Sequence, residues 1–324
     1  MIDFRYHVVS LVSVFLALAV GIVLGAGPLN EGISTGITDQ VRQLTTEKNQ
    51  LRTERDQALT TVDQQDAWAE AVAPALVARQ LGGRGVAVVE LPGADSSQVD
   101  ATVSALEAAG AQVSAQVTVQ ERWIDTSAAA TAERQEAASS LAAQLPTTPA
   151  ADATPEDLLA AELARALVTT ELAQSTELDQ GAQTVLTTLS DAGLVEVQGD
   201  GGPAVARGTL ALVVGGAPDT DTTDAQQEAT TTTWNAVAAA LDAASAGAVV
   251  AGPAESTADG GVVAALRADD DVTRDVSSVD DLDSPIGRVN VVLALRQQLS
   301  GGVGQYGTAD SATAVSPPLP AVAP

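Results

Sequence analysis

From Val8 to Asn30 the chain carries no charged side chain, and this apolar run sets the terms for everything after it. A bilayer core needs roughly 20 apolar residues in helical form. The stretch from Val8 to Leu29 has that length, interrupted by two serines, three glycines and one proline. A secretory signal has a shorter apolar region behind a basic leader, typically about 7–15 residues long. Here the leader "MIDFRYH" holds one base and one acid. Three readings fit the run: an uncleaved anchor, a cleaved signal, or a buried helix of a soluble protein. Length and flanks favour the anchor. Arg5 and the amino terminus argue for a cytoplasmic start, with the bulk of the chain outside the membrane. One spanning helix cannot enclose a pore, so conduction would need many copies or another protein.

Charge narrows the partners. The 324 residues hold 15 Lys and Arg against 42 Asp and Glu. Only Arg5 and Asp3 precede Glu31, so the excess of acid falls beyond the apolar run. Such a surface repels phosphate backbones and excludes nucleic acid as a natural partner. Cysteine is absent, which removes disulfides, zinc–thiolate sites, iron–sulfur clusters and cysteine nucleophiles together. Aromatics make up 2% of the chain, so any core is built from Ala, Val and Leu.

After the apolar run, "ITDQVRQLTTEKNQLRTERDQALTTVDQQ" alternates spacings of three and four. Ile37, Leu44, Leu51 and Ala58 fall at d of a heptad, and Val41, Lys48, Arg55 and Val62 at a. Basic residues at a weaken the seam but favour one register and a low oligomer state. Glu47 at g and Arg52 at the following e have the spacing of an interchain ion pair in a parallel dimer. Three uses are open: a plain spacer helix, a self-dimerising stalk, or a seam that opens to a partner helix.

From Gly82 the pattern changes to strands alternating with helices. Val86 to Glu90, "QVSAQVTV", a short strand at Leu194 to Val197, the apolar run of "GTLALVVGGAPD" and the end of "ATTTTWNAVAAALDAASAGAVVAGP" read as strands, with a possible last strand within "GGVVAALRADDDVTRDVSSVDDLDSP". Helical stretches separate them, and "IGRVNVVLALRQQLSGGVGQYG" reads as a closing amphipathic helix. Five or six buried strands linked this way predict an α/β fold: an open, mostly parallel, doubly wound sheet with helices on both faces. The expected organisation is an anchor at 1–30, a stalk at 31–80, an outer α/β domain at 81–307 and a disordered Pro/Ala-rich tail at 308–324.

Little chemistry is legible. "ELPGAD" and "VVGGAPD" put glycines at strand exits, where such sheets bind ligands, but neither matches a dinucleotide or phosphate loop. Tight turns explain the glycines, and no cofactor is expected. Asp269, Asp270 and Asp271, and Asp280, Asp281 and Asp283, could gather a hard cation, but their spacing is not that of an EF-hand; solvated acidic loops are the plainer expectation. The single histidine, His7, lies before the apolar run, so no Ser-His-Asp triad forms beyond it. No pair of carboxylates stands out, and no catalytic residue is expected.

"DFRYHVVSLVSVFLALAVGIVLGAGPL", the short coiled coil and "DSPIGRVNVVLALRQQLSGGVGQYG" together resemble the actinobacterial MctB-type copper transport protein family, whose cell-division branch is called SteB. The resemblance runs to about Gly307. It implies a homodimer with a Rossmann-like outer domain. It also implies one of two roles: a channel-like copper exporter of the envelope, or an anchored protein that recruits cell-wall machinery through its coiled coil. Copper(I) prefers thiolate, thioether or imidazole ligands. This chain offers Met1 and His7 alone, both ahead of the apolar run. His7 is expected as an interfacial anchor, with a metal-ligand role open only if copies cluster. A membrane barrel needs many strands alternating apolar and polar, which the Ala-rich helical periods do not supply. Composition therefore favours a scaffold that dimerises and recruits envelope or division partners, with copper efflux as the alternative.

Overall fold

The computed structural model describes residues 4–25, 29–145, 153–171, 178–198, 206–219 and 221–319, and for 29–38 the backbone alone. The chain divides into two compact units, Met1–Gln65 and Asp66–Pro324. The first contains α1 (Phe4–Gly25) and most of α2 (Leu29–Val77). All of α1 is solvent-exposed, with a mean hydropathy of 2.7 in its most apolar stretch. Its 22 residues suffice to cross a bilayer.

In the larger unit the elements follow as β1 (Gly85–Glu90), α3 (Ser96–Ala108), β2 (Gln112–Val119), α4 (Ala128–Gln144), α5 (Pro155–Leu167), α6 (Gln180–Asp191), β3 (Val195–Val197), β4 (Leu210–Val214), α7 (Asp224–Ala244), β5 (Ala248–Ala251), α8 (Val262–Arg267), β6 (Ser277–Val279), α9 (Pro285–Gln298) and β7 (Gln305–Tyr306). The sheet runs β3-β2-β1-β4-β5-β6-β7. Only β3 is antiparallel to its neighbour. The order reverses between β1 and β4: from β1 the chain moves out to β2, and from β4 it moves the other way to β5.

Local chemistry starts and stops the helices. Asp95 accepts from Ser97 N at 2.8 Å and Gln98 N at 3.2 Å, capping α3. Thr154 with Asp157 and Thr223 with Gln226 close capping boxes on α5 and α7. Ser284 caps α9 by accepting from Gly287 N at 2.9 Å, and Pro285 takes the first helical position.

Parallel strands must be covered on both faces. Ala87, Val89, Ala211, Val213 and Val250 face one core, packed by α4 to α8. Val86, Val88, Leu210, Leu212 and Val249 face the other, packed by α3, α9 and the end of α2 through Val77. Residues 66–77 of α2 thus belong to the larger unit, where Glu70 approaches Arg288 at 3.8 Å.

Sequence and structure differ at the carboxyl end. The closing helix stops at Gln298, and "GVGQYG" supplies a seventh strand, β7. Composition predicted a disordered tail from Thr308, but residues 308–319 pack against this edge of the sheet. Thr313 N donates to Gln305 O at 2.7 Å, and Asn290 Nδ2 to Val315 O at 2.9 Å. An ion pair buried beneath them fixes the arrangement. Arg267 Nη1 lies 2.6 Å from Asp280 Oδ2, with both side chains almost wholly buried. Arg267 also donates to Ser278 Oγ at 2.8 Å, Ser311 Oγ at 3.0 Å and Tyr306 O at 2.8 Å. Asp280 Oδ1 accepts from Thr308 N at 2.7 Å. A buried ion pair with one partner removed leaves an uncompensated charge, which costs roughly 3–5 kcal/mol. Arg267→Met is expected to lower stability by that order in urea unfolding and to open residues 308–319 to proteolysis; a variant with wild-type stability would contradict the assignment.

Candidate functional site

The exits of β1 and β4 do not run flat into solvent. They form the floor of a cleft of about 730 Å3 at the point where strand order reverses. Open α/β sheets bind ligands at this position, and the volume matches that of small-molecule sites. Leu91, Pro92 and Gly93 contribute one side of the floor, and Gly215 to Pro218 the other. The loop after β2 forms one wall, α7 a second, and Gly260 to Val262 ahead of α8 a third.

The glycines at the exits answer to packing. A Cβ on Gly216 would lie 1.9 Å from Gly93 O, so the two exit loops touch backbone to backbone. The plain explanation of "LPG" and "VGG" as turns extends to this contact.

The wall after β2 is set by Arg134, a residue that sequence reasoning did not single out. It is 6% exposed and donates from Nη1 to Arg122 O at 2.9 Å and Asp125 O at 2.7 Å. Its Nε meets Glu156 Oε1 at 2.9 Å. One guanidinium on α4 thereby shapes the loop that presents Arg122 and Asp125. Arg122 is itself held by Glu133 through Nε and through Nη2, the latter at 2.9 Å. Asp125 Oδ1 accepts from Ser127 N at 2.8 Å, which holds its carboxyl below the ordinary range and keeps it ionised. No local spacing in "QERWIDTSAAATAERQ" announces this arrangement, because the contact from Arg134 spans nine to twelve residues and depends on where α4 docks.

The helices that start along the cleft are capped unequally: Ser127 accepts from Ala130 N at the start of α4 and Thr223 from Gln226 N at the start of α7, whereas α8 begins at Gly261 with no side-chain cap.

The two acidic clusters differ from the expectation of solvated loops. Asp270, Asp271 and Asp283 are exposed, as expected. Asp280 and Asp281 are buried. Asp280 goes inside because Arg267 meets its charge. Asp281 has no such partner: its Oδ1 and the Oδ1 of buried Asn290 lack hydrogen-bond donors. Burial, with the charge of Asp280 second, pushes the Asp281 carboxyl up to about 6, and the Asn290 side chain offsets part of this. Among the described residues, no three His, Cys, Asp or Glu side chains gather as a metal site.

The predicted stalk residues all fall on α2. Val41, Leu44, Leu51 and Val62 are 49–64% exposed, and Lys48 and Arg55 are also exposed. Ile37 lies in the helix, but its side chain is outside the described residues. Leu44, Glu47, Lys48, Leu51, Arg52 and Arg55 border one shallow surface depression. Glu47 and Arg52 make no ion pair with each other within the chain, whereas Arg55 turns to Asp56 at 2.5 Å. His7 is exposed near the start of α1, far in sequence from every acidic cluster. Met1 lies outside the described residues.

A family model described as "Copper transport outer membrane protein, MctB" matches residues 1–317. The chain belongs to the MctB family. It is 32% identical over 320 residues to the copper transporter MctB of Mycobacterium tuberculosis, covering 98% of this chain and 99% of the relative. The same values hold for Mycobacterium bovis. The Mycobacterium leprae protein of that name is 33% identical over 325 residues, covering 98% of this chain and all of the relative. Like its family, the protein is associated with the membranes of the cell envelope, and it has one amino-terminal helix apolar enough to serve as a span.

The position of Asp281 gives a pH dependence with a definite sign. Its folded-state value of about 6 stands above the ordinary 3.8, so between these values the folded protein holds more protons than the unfolded chain. Stability therefore falls as pH rises through that window, and Asp242, also raised to about 6 by burial, adds in the same direction. Asp281→Asn is expected to raise stability at pH 7.5 by up to roughly 3 kcal/mol and to leave it nearly unchanged at pH 4, as read from urea midpoints at the two pH values.

Proposed function

We propose that this protein is a membrane-anchored component of copper transport in the cell envelope. One observation carries the reading: the likeness to mycobacterial copper transporters spans 98% of the chain, so anchor, long helix and α/β unit match together. In this reading α1 anchors the chain with its amino terminus in the cytoplasm. The α/β unit, Rossmann-like in its strand order, lies on the other side of the membrane and works without turnover.

Copper would be cargo, and the residues bear on how it is handled. The chain has no cysteine, one methionine and one histidine, a poor supply of the soft donors that copper(I) prefers. The sheet of the described residues is open, with β3 and β7 at its edges and both faces covered, unlike a lipid-facing barrel. The chain's own contribution is therefore assembly: it holds the copies or partner proteins through which the ion passes. The test is a deletion in the parent organism, scored by cell-associated copper and by growth on graded copper. The deletion is expected to accumulate copper and to stop growing at a lower concentration. The intact gene and a His7→Ala allele should both restore it. Unchanged copper content in the deletion would refute the reading.

The exposed seam on α2 favours a second reading, an envelope scaffold that pairs with itself and recruits wall or division proteins. Val41, Leu44, Leu51 and Val62 would form the contact of a parallel homodimer, and Glu47 would pair with Arg52 of the second copy. Leu44→Asp combined with Leu51→Asp is expected to abolish crosslinking between copies in intact cells. If crosslinking persists, α2 is a spacer.

A further inference from the structure

The cleft at the strand exits has no role in the copper reading, and its chemistry is one-sided. Its apolar surface comes from Leu91, Ile124, Trp234 and Val262. Its charged groups are Glu121, Asp125, Asp219 and Arg122. Arg122 is already neutralised by Glu133. The remaining charge is that of three carboxylates, and Asp125 is held in its ionised form. The two long helices that start along the cleft, α4 and α7, carry side-chain caps at Ser127 and Thr223. The surrounding field adds to this, because the whole chain carries a formal charge of -27. An occupant must therefore bring positive charge and hydrogen-bond donors for the rim, and an apolar body for the floor.

We propose that the cleft between the β1 and β4 exits binds a small organic cation, an amine or guanidinium on an apolar body. Its cationic head sits among Glu121, Asp125 and Asp219, and its body lies along Ile124, Val262 and the edge of Trp234. A volume of about 730 Å3 accommodates such a molecule without rearrangement of the sheet. The three carboxylates select against anionic metabolites of the same size.

The experiment uses the full chain in detergent micelles and three probes of nearly equal shape: phenethylamine, phenethyl alcohol and phenylacetate. Binding is followed by calorimetry and by the chemical shift of the Trp234 indole N–H, assigned with Trp234→Phe. Phenethylamine is expected to bind at least about tenfold more tightly than the other two and to move the Trp234 signal. The triple variant Glu121→Gln, Asp125→Asn, Asp219→Asn should lose that preference while keeping the wild-type circular dichroism and melting temperature. The amides keep the oxygen acceptors that Ser127 N and Asp221 N require, so the loops survive the change. A control that neutralises two exposed acids outside the cleft, Asp100→Asn with Asp270→Asn, should bind like the wild type. Equal affinity for all three probes, no binding of phenethylamine, or an equal loss in the control would overturn the proposal. None of these results bears on copper accumulation in the deletion strain, so the two proposals fail separately.

Discussion

A parallel sheet that must hide both faces governs the larger unit. The central strands are short and made almost wholly of Val, Ala and Leu, which pack closely but fill little volume. With few aromatics to span gaps, helices must come near the sheet, and Ala-rich faces allow it. In α5, buried between α4, α6 and α7, even Glu162 is only 2% exposed and is met by Arg165 at 3.1 Å. The two cores are separated by the sheet alone, so side chains of alternate strand residues decide which helix lies where.

That constraint explains what the sequence made legible. Apolar runs such as "GVAVVE" and "LALVV" are strong signals because both faces are buried, and the glycines and caps around them mark the boundaries. The signal fades where a structure is held by distant partners. β7 is two residues long, and it forms because β6 lies beside it and Arg267 receives its Tyr306 carbonyl. Asp280 reads as one acid among many until Arg267, thirteen residues earlier, is seen to reach it. The cleft shows the same divide. Its glycine floor stands out in the sequence, whereas the part of its rim that carries Glu121 and Asp125 depends on Arg134 drawing in the loop ahead of its own helix.

The functional picture rests on two kinds of support. Full-length kinship places the chain in a copper transport family. In the proposed role, the scarcity of soft donors and the open sheet shift the emphasis to assembly. The apolar seam of α2, exposed when one chain is viewed alone, and the acidic cleft of the α/β unit are two surfaces on separate units that would serve different occupants.

Residues 308–319 have a consequence for the open edges of the sheet. A sheet grows wherever an edge strand leaves its amides and carbonyls unclaimed. Here Thr313 and Ala314 hydrogen-bond along the outer side of β7, and the opposite edge, β3, is only three residues long. The polypeptide terminates its own lamella from within. Neither described edge therefore offers another sheet a long row of unclaimed amides and carbonyls to extend.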